Sequence, residues 1–340
     1  MNIINLLKKI SSGQNLAFEE SAFCMNQIMS GKMLPSQFGA LMAALAYKGE
    51  SSEEIAGMAS EMREFSLKIT PTKNAIDVCG TGGSGLKWLN ISTASSLLIA
   101  SLGIPVAKHG NRAMSGNSGS ADVLEELGVN IRINPKKVEE CINEIDISFM
   151  FAQSFHPAMK YAAPLRKEIG IRNIFNFLGP LTNPASVKKQ IIGTTNKDFA
   201  KKIAEAAKIL KSERIITLSG ISGADEIEID NKTIFYDSKN NFIEENIDFE
   251  IKKYDSKYLI VQSPKDSAKK ILNTFKATSQ SNDIEKKSIE HSIAINAAMA
   301  LYLCEYNIKF SECYDIAKEN IYNGKALKKL NQLIEFTNRK

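Results

Sequence analysis

The chain has 340 residues, 44% hydrophobic and 24% charged, with 20 Gly and 9 Pro. These values exclude collagen-like, low-complexity and wholly disordered classes, and the length favours about two domains. The net charge of +5 lies late, because residues 251–340 hold 16 Lys and Arg against 10 Asp and Glu. Those bases alternate with acids and lack aromatic interleaving, so they read as solvated helix surface rather than a nucleic-acid patch. Cys24, Cys79, Cys141, Cys304 and Cys313 form no CxxC and no Cys/His cluster, as expected of a reducing compartment. The start, MNIINLLKKI, has no long apolar signal region, and the expectation is an unprocessed cytoplasmic protein.

From residue 1 to about 70 the apolar spacing is helical, as in Phe38, Leu41, Met42, Leu45 and then Ile55, Met58, Ala59, Met62. Pro35 opens one helix, Gly49 closes it, and Ser51 with Glu54 forms a capping-box pattern for the next. After Pro71 short β-rich runs alternate with helices: AIDVC, IPVAK, VNIRI, ISFMFA, QIIGTT, RIITLSG and TIFYD. This rhythm predicts an α/β fold, a mostly parallel sheet covered by helices, behind a small all-helical domain. Residues 156–188 read instead as two helices, His156 to Ile169 and about Asn173 to Leu178. The expected organisation is a helical domain over 1–71, with 156–188 as an insert packing on it, and an α/β domain over 72–155 and 189–340. From about residue 282 the pattern is helical to the end, with Gly324 as a stop signal.

AIDVC runs directly into Gly80-Thr81-Gly82-Gly83-Ser84-Gly85, and Asn90-Ile91-Ser92-Thr93 opens the next helix. Gly80, Gly82 and Gly85 satisfy GxGxxG, but the helix starts several residues late. The second strand, moreover, ends in Lys108-His109 where a dinucleotide site needs an acid. The P-loop template fails because Leu86 stands where Lys is required. What remains is a loop whose glycines let backbone N–H groups face an anion, with Ser92 and Thr93 at a helix N-terminus. A structural turn followed by an N-cap is the alternative.

A second candidate segment follows the second strand: Lys108-His109-Gly110-Asn111-Arg112, then Ser115 to Asp122 leading into the helix ADVLEELG. Both loops lie at carboxyl ends of neighbouring strands, where open α/β sheets bind ligands. Surface charge for Lys108 and Arg112, and helix capping for Ser118 and Ser120, are the plainer readings. Arg166 offers a planar fork for a carboxylate or an ion pair with Glu168. Asp225 and Glu226 are hard oxygen donors suited to Mg²⁺, or part of a solvated acidic run, ADEIEID.

In order along the chain, GTGG…NIST, KHGNR, SGSADVLEELG, PLRKEIGIRNIFNFLGPLTNPA and ADEI resemble the signatures of the anthranilate phosphoribosyltransferase family. The resemblance implies transfer of a phosphoribosyl group from phosphoribosyl pyrophosphate (PRPP) to the amino nitrogen of anthranilate, the second step of tryptophan biosynthesis from chorismate. It implies that Gly80, Gly82, Gly83, Asn90, Ser92 and Thr93 hold pyrophosphate and metal, with Ser84 beside them, and that Lys108 and Ser120 bind phosphate. Asn111 and Arg166 would contact anthranilate, with Gly80, His109 and Met159 lining its site. Two Mg²⁺ ions are implied, with Ser92, Asp225 and Glu226 as metal residues, and so is a homodimer through the helical domain. No catalytic acid, base or nucleophile is implied. The chain departs from the family pattern at Ser84, where Asp is usual, at Trp88-Leu89, usually Thr-Phe, and at Gln153, which interrupts the usual FAP. The first departure bears on metal handling. Two rivals are a pyrimidine nucleoside phosphorylase and a non-catalytic nucleic-acid-binding relative.

Overall fold

Four helices open the chain: α1 (Ile3–Ser11), α2 (Phe18–Met29), α3 (Pro35–Lys48) and α4 (Ser52–Glu64). The computed structural model describes all residues except 114–116, 241–242, 248–252, 305–308 and 340. Pro35 sits in the first turn of α3 and Gly49 closes it at φ +82°, a left-handed angle that costs glycine no Cβ clash. Ser51 and Glu54 form the expected capping box: Glu54 N donates to Ser51 Oγ at 3.2 Å, and Ser51 N to Glu54 Oε2 at 2.7 Å. The Glu54 carboxylate also accepts from Leu16 N and Lys48 Nζ, so a fully buried charge has its lone pairs occupied.

The remainder is built on β1 (Ile76–Gly80), β2 (Val106–Gly110), β3 (Ile147–Phe151), β4 (Lys189–Gly193), β5 (Arg214–Gly220), β6 (Thr233–Asp237) and β7 (Ile243–Ile247). Between and after them run α5 (Ile91–Ser101), α6 (Ser120–Glu126), α7 (Pro135–Ile145), α8 (Ala152–Phe155), α9 (Ala163–Ile169), α10 (Phe175–Leu181), α11 (Lys197–Ile209), α12 (Pro264–Lys276), α13 (Ile284–Leu303), α14 (Phe310–Ile321) and α15 (Lys325–Asn338). The seven strands lie in the order β3-β2-β1-β4-β5-β6-β7. The first five are parallel, and β6 and β7 extend the sheet antiparallel. The chain winds outward from β1 through β2 to β3, then returns to the other side of β1 as β4. The switch point of this doubly wound sheet is therefore the crevice at the carboxyl ends of β1 and β4.

Strand alternation divides the core. Ile76, Val78, Ile191 and Ile216 face a cluster with Ile91, Leu98, Ile293 and Leu330 of α5, α13 and α15. Cys79, Ile192 and Ile215 face the opposite cluster, which holds Phe38, Leu41, Ile55 and Met58 of the N-terminal helices and Ile203 of α11. Ala162, Ile174, Phe175, Leu178 and Leu181 of the insert join that same cluster, and Arg63 Nε donates to Leu181 O at 2.5 Å.

The structure corrects the element assignment in three places. VNIRI is not a strand: Val129, Ile131 and Ile133 are buried in alternation, but in a turn that leads to Pro135 and α7. Alternating burial was satisfied by packing, without a ladder. The strand β7, IEENI, went unrecognised because an outer strand carries no apolar run. The helix expected from His156 to Ile169 is a 3-10 turn over Pro157–Tyr161 followed by α9, whose first turn contains Pro164.

Gly193 tests the crevice. A Cβ there would lie 1.7 Å from the backbone oxygen of Asp225, whereas one at Gly82 would meet nothing within 4 Å. Gly193→Ala should destabilise the protein by about 1–3 kcal/mol through overpacking against backbone. Gly82→Ala should cost about 1–2 kcal/mol through its φ of +69° alone. Urea unfolding with loop-local hydrogen exchange separates the two, since only the first displaces the Asp225 segment.

Candidate active site

Two glycines end the strands at the switch point, Gly80 of β1 and Gly193 of β4, which are register partners. The loop between β5 and β6 comes in directly over them. A Cβ on Gly80 would lie 2.4 Å from Asp225 Oδ2, so both glycines are needed for this approach. The loop is held from several sides: Gly220 N donates to Ala224 O, Ser222 N to the Glu228 carboxylate, Glu228 N to Thr233 Oγ1 and Ile227 N to Asn296 Oδ1 of α13. The acidic run is therefore a bonded loop, not a solvated one.

Asp225 and Glu226 lie on irregular backbone and reach different partners. Asp225 Oδ2 accepts from Gly82 N at 2.9 Å, and its carboxylate also accepts from the Ser84 hydroxyl. Glu226 Oε1 accepts from Ser92 N at 3.1 Å, in the first turn of α5. Burial raises the Asp225 pKa, while burial and the neighbouring Asp225 charge push Glu226 up to about 8. Lys108 lies next to this pair, donating to Val78 O at 2.7 Å and Ser92 Oγ at 3.3 Å.

Positive φ at Gly82, Gly83 and Gly85 bends the β1 to α5 loop across the crevice. Its second half is stitched to the segment before α12, where Leu89 N donates to Leu259 O and Val261 N to Lys87 O, and Asn117 Nδ2 of the β2 to α6 loop donates to Val261 O of the same segment. Asn90 stands before α5 without capping it; its side chain ties Ser118 and Ser267. The Thr93 hydroxyl is sealed inside a residue that is 1% exposed, without a partner, so it does not face the crevice as the sequence suggested. N–H groups, hydroxyls, an ammonium and two carboxylates thus meet on one side of the crevice. Such a set binds a polyanion with a divalent cation.

The other side begins at His109, which is 7% exposed. Its Nδ1 lies 3.2 Å from Gly179 O, and since a carbonyl only accepts, Nδ1 carries the proton and Nε2 is bare. Nε2 has no partner. His156 packs beside it, its ring tilted by 50° with centroids 5.1 Å apart. Ser120 Oγ donates to Asn111 O, while Asn111 Oδ1 accepts from Arg112 N and, at 3.4 Å, from Gln153 Nε2. Arg112 is not free, being clamped by Asp122 and Glu125. Ser115 and Gly116 lie outside the described residues.

Arg166 projects from α9 over the Phe175 ring, its guanidinium 5.0 Å from the centroid, and burial lowers its pKa from the usual value. Among the described residues no carboxylate pairs with it, which removes the ion pair with Glu168 from consideration. Met159 is half-buried against the helical cluster. Neither residue bonds to the phosphate side. The structure thus joins Gly80, Gly82, Ser84, Ser92, Lys108, Asp225 and Glu226 into one constellation and sets Arg166 and Met159 apart on the insert.

A family model for the helical bundle domain of a glycosyl transferase family matches residues 4–66, and one for the a/b domain matches residues 72–327. An anthranilate phosphoribosyltransferase from Acetivibrio thermocellus is 41% identical over 338 residues, 98% of this chain and 96% of the relative. The chain belongs to the anthranilate phosphoribosyltransferase family. The crystal structure of the Thermus thermophilus family member superposes with a TM-score of 0.91 at 32% identity, covering 98% of this chain and 99% of that one. The Saccharomyces cerevisiae family member solved with PRPP and Mg has the same fold, with a TM-score of 0.89 at 24% identity and coverage of 98% and 97%.

Sequence reasoning missed three residues that build this site. Gly193 was legible only as the end of a strand. Asn296 lay inside an apolar helix with nothing to link it to residue 227. Asp77 did carry a signal, a carboxylate within the buried run AIDVC, where a charge must find partners.

Burial pushes His109 down to about 3 and His156 down to about 4, with the His156 ring adding to the first shift. Because these values lie below the usual 6.5, the unfolded chain takes up protons first as pH falls. Their contribution to stability is whole above pH 6.5 and is lost toward pH 3–4, by about 1.4 kcal/mol per unit for each ring. The His109 ring resonances should not titrate between pH 8 and 5. A midpoint near 6.5 would show a hydrated ring.

Proposed function

We infer that this chain transfers the phosphoribosyl group of PRPP to the amino nitrogen of anthranilate, releasing pyrophosphate in the second step of tryptophan biosynthesis from chorismate. The observation that carries this reading is the pairing of an anion-binding constellation at a switch point with an unpaired guanidinium on the insert. Pyrophosphate fits the loop from Gly80 to Ser84, where Thr81 N is taken by Gly193 O and Gly82 N by Asp225, leaving the Gly83 and Ser84 N–H groups to face it. Asn90 fixes the register of the α5 turn that follows. Lys108 and Ser120 serve the phosphate. Arg166 forks the anthranilate carboxylate, assisted by Asn111 Nδ2, since Asn111 Oδ1 is already occupied. Met159, Gly80 and the neutral His109 line the ring site.

Asp225, Glu226 and Ser92 fit a divalent cation: they are hard oxygen donors, and the carboxyl pKa values are raised where two burdened charges adjoin. Mg²⁺ takes few protein ligands when phosphate is at hand, so oxygens of PRPP would complete the shell of an ion held by these residues. We take two Mg²⁺ ions, one at Ser92 and one at Asp225 and Glu226. When bound, Mg²⁺ neutralises charge on the departing pyrophosphate. The bond between the ribose carbon and the pyrophosphate oxygen breaks with its electron pair leaving on pyrophosphate, the amine nitrogen bonds to that carbon, and the nitrogen then gives its extra proton to the released pyrophosphate or to water. A neutral aromatic amine needs positioning more than activation, which Arg166 and Asn111 supply.

A homodimer through the helical domain is supported by apolar side chains exposed on packed neighbours: Ile4 of α1, and Leu34 and Tyr47 at the two ends of α3. No described helix is long and apolar enough to cross a membrane; a cytoplasmic location is part of the proposal and follows from the biosynthetic reaction.

Purified protein should consume anthranilate, followed by its fluorescence, only when PRPP and a divalent metal are both present. Thymidine phosphorolysis or salt-sensitive DNA binding without turnover would overturn the reading in favour of a rival. Arg166→Ala should raise the anthranilate KM roughly ten- to a hundredfold, the worth of a charge-assisted contact at about 1.5–3 kcal/mol, with PRPP affinity nearly unchanged. An equal loss for both substrates would place Arg166 in the fold or the phosphate site.

Ser84 donates to Asp225, so Ser84→Asp would set a second carboxylate against the first and beside the pyrophosphate. Added negative charge weakens PRPP binding at low metal and strengthens the hold on Mg²⁺. The Mg²⁺ profile of PRPP saturation should shift severalfold without loss of turnover. Superimposable titrations of parent and variant would show that this position does not govern metal handling.

A further inference from the structure

The buried groups not used by this mechanism centre on Asp77, a fully buried carboxylate in the middle of β1. Its Oδ1 accepts from His109 N at 3.3 Å and its Oδ2 from Asn183 Nδ2 at 2.8 Å. The Asn183 amide also donates to Ala107 O at 2.9 Å and accepts from Ala185 N at 2.9 Å. Asn183 belongs to the turn that ends the insert, one residue beyond Thr182, whose hydroxyl donates to Gly179 O. That carbonyl is the same one that holds His109 Nδ1.

These bonds close a circuit: Asp77 to the His109 main chain, His109 ring to Gly179, Gly179 to Thr182, and Asn183 back to Asp77. Two strands and the end of the insert meet in it. A buried carboxylate is costly, and an apolar or amide residue would fill the same space more cheaply were filling all that was required. Only a group with two acceptors can hold both the His109 N–H and the Asn183 amide. Lys108, the neighbouring cation on β2, offsets its charge.

We propose that Asp77 and Asn183 are positioning residues for the transfer reaction, a buried carboxylate–amide pair that fixes His109 as its Nδ1–H tautomer and anchors the insert to the sheet. The inference rests on the function proposed above, because His109 and the insert form the anthranilate side. Its consequence is selective. The phosphate-side residues Gly82, Ser84, Ser92 and Glu226 make no bond within the circuit, and Lys108, which faces the Asp77 charge, bonds to Val78 O and Ser92 Oγ rather than to the pair. Disturbing the pair should therefore be felt by anthranilate more than by PRPP.

The test uses the full chain with Asp77→Asn and, as a second variant, Asn183→Ala, which removes the donor side. Ring ¹⁵N spectra give the His109 tautomer, assigned among only three histidines; steady-state kinetics give the two KM values separately. The parent should show the proton on Nδ1. Each variant that folds should show mixed tautomers and an anthranilate KM raised by about tenfold, the scale of one buried hydrogen bond to a charged group, with the PRPP KM within about twofold. The reciprocal Asp77→Asn/Asn183→Asp protein restores an amide facing a carboxylate and should recover part of that KM. An unchanged tautomer and unchanged KM values in either folded variant would overturn the proposal. Equal losses for both substrates with a lowered melting temperature would also overturn it, since that is the mark of a structural brace. Should the parent fail to consume anthranilate, the proposed function falls, while the tautomer comparison still decides whether the circuit positions the ring.

Discussion

The site depends on one close approach, that of Asp225 to the ends of β1 and β4, its backbone over Gly193 and its carboxylate against Gly80. Any side chain at Gly80 or Gly193 would hold the β5 to β6 loop away from the crevice. With glycine at both, the loop descends far enough for Asp225 to meet Gly82 and Ser84 and for Glu226 to meet the first turn of α5. Burying two adjacent carboxylates is unfavourable unless hydrogen bonds and opposite charge offset it. Backbone N–H groups, two serine hydroxyls and Lys108 do so in part, and the remaining strain in charge is seen in the raised pKa of both acids.

The same crevice explains why the helical unit and the insert accompany this sheet. Cys79, Ile192 and Ile215 on one sheet face share a single apolar cluster with α1 to α4 and α10. The insert is thereby packed from below, and the bonds from His109 to Gly179 and from Gln190 Nε2 to Pro180 O tie its last turn to β2 and β4. A side chain on α9 is then held by the core rather than by a surface loop. That matters for Arg166, whose fork works only if its plane is fixed, and the Phe175 ring beneath it helps to fix it.

Local rules carried the sequence reading a long way. Period and capping residues located α3 and α4, and a strand running into four glycines located the loop that bends across the crevice. The failures were long-range. VNIRI had the alternation of a strand but lacked a neighbour to pair with, and no window statistic reports a missing neighbour. Ser84 and Asp225 are far apart in the chain, so their hydrogen bond has no local trace. The argument that adjacent carboxylates require irregular backbone did hold, because it followed from strand geometry alone. Arg166 could be named as a carboxylate fork, yet only the structure shows that no described acid claims it.

The protonation state of the site follows from these same constraints. His109, His156 and His291 are the only histidines, and burial holds them down to about 3, 4 and 4. None changes charge between pH 5 and 8, so imidazole acid–base cycling is closed to this fold near neutrality. Transfer from a pyrophosphate leaving group to a neutral aromatic amine requires no such cycle. What it requires is charge held ready where the leaving group develops its own, and an amine that cannot turn away. On the proposed reading the first falls to groups fixed at the switch point and the second to the Arg166 guanidinium, held over the Phe175 ring. The buried, unprotonated histidines are thus consistent with catalysis by placement rather than by proton transfer.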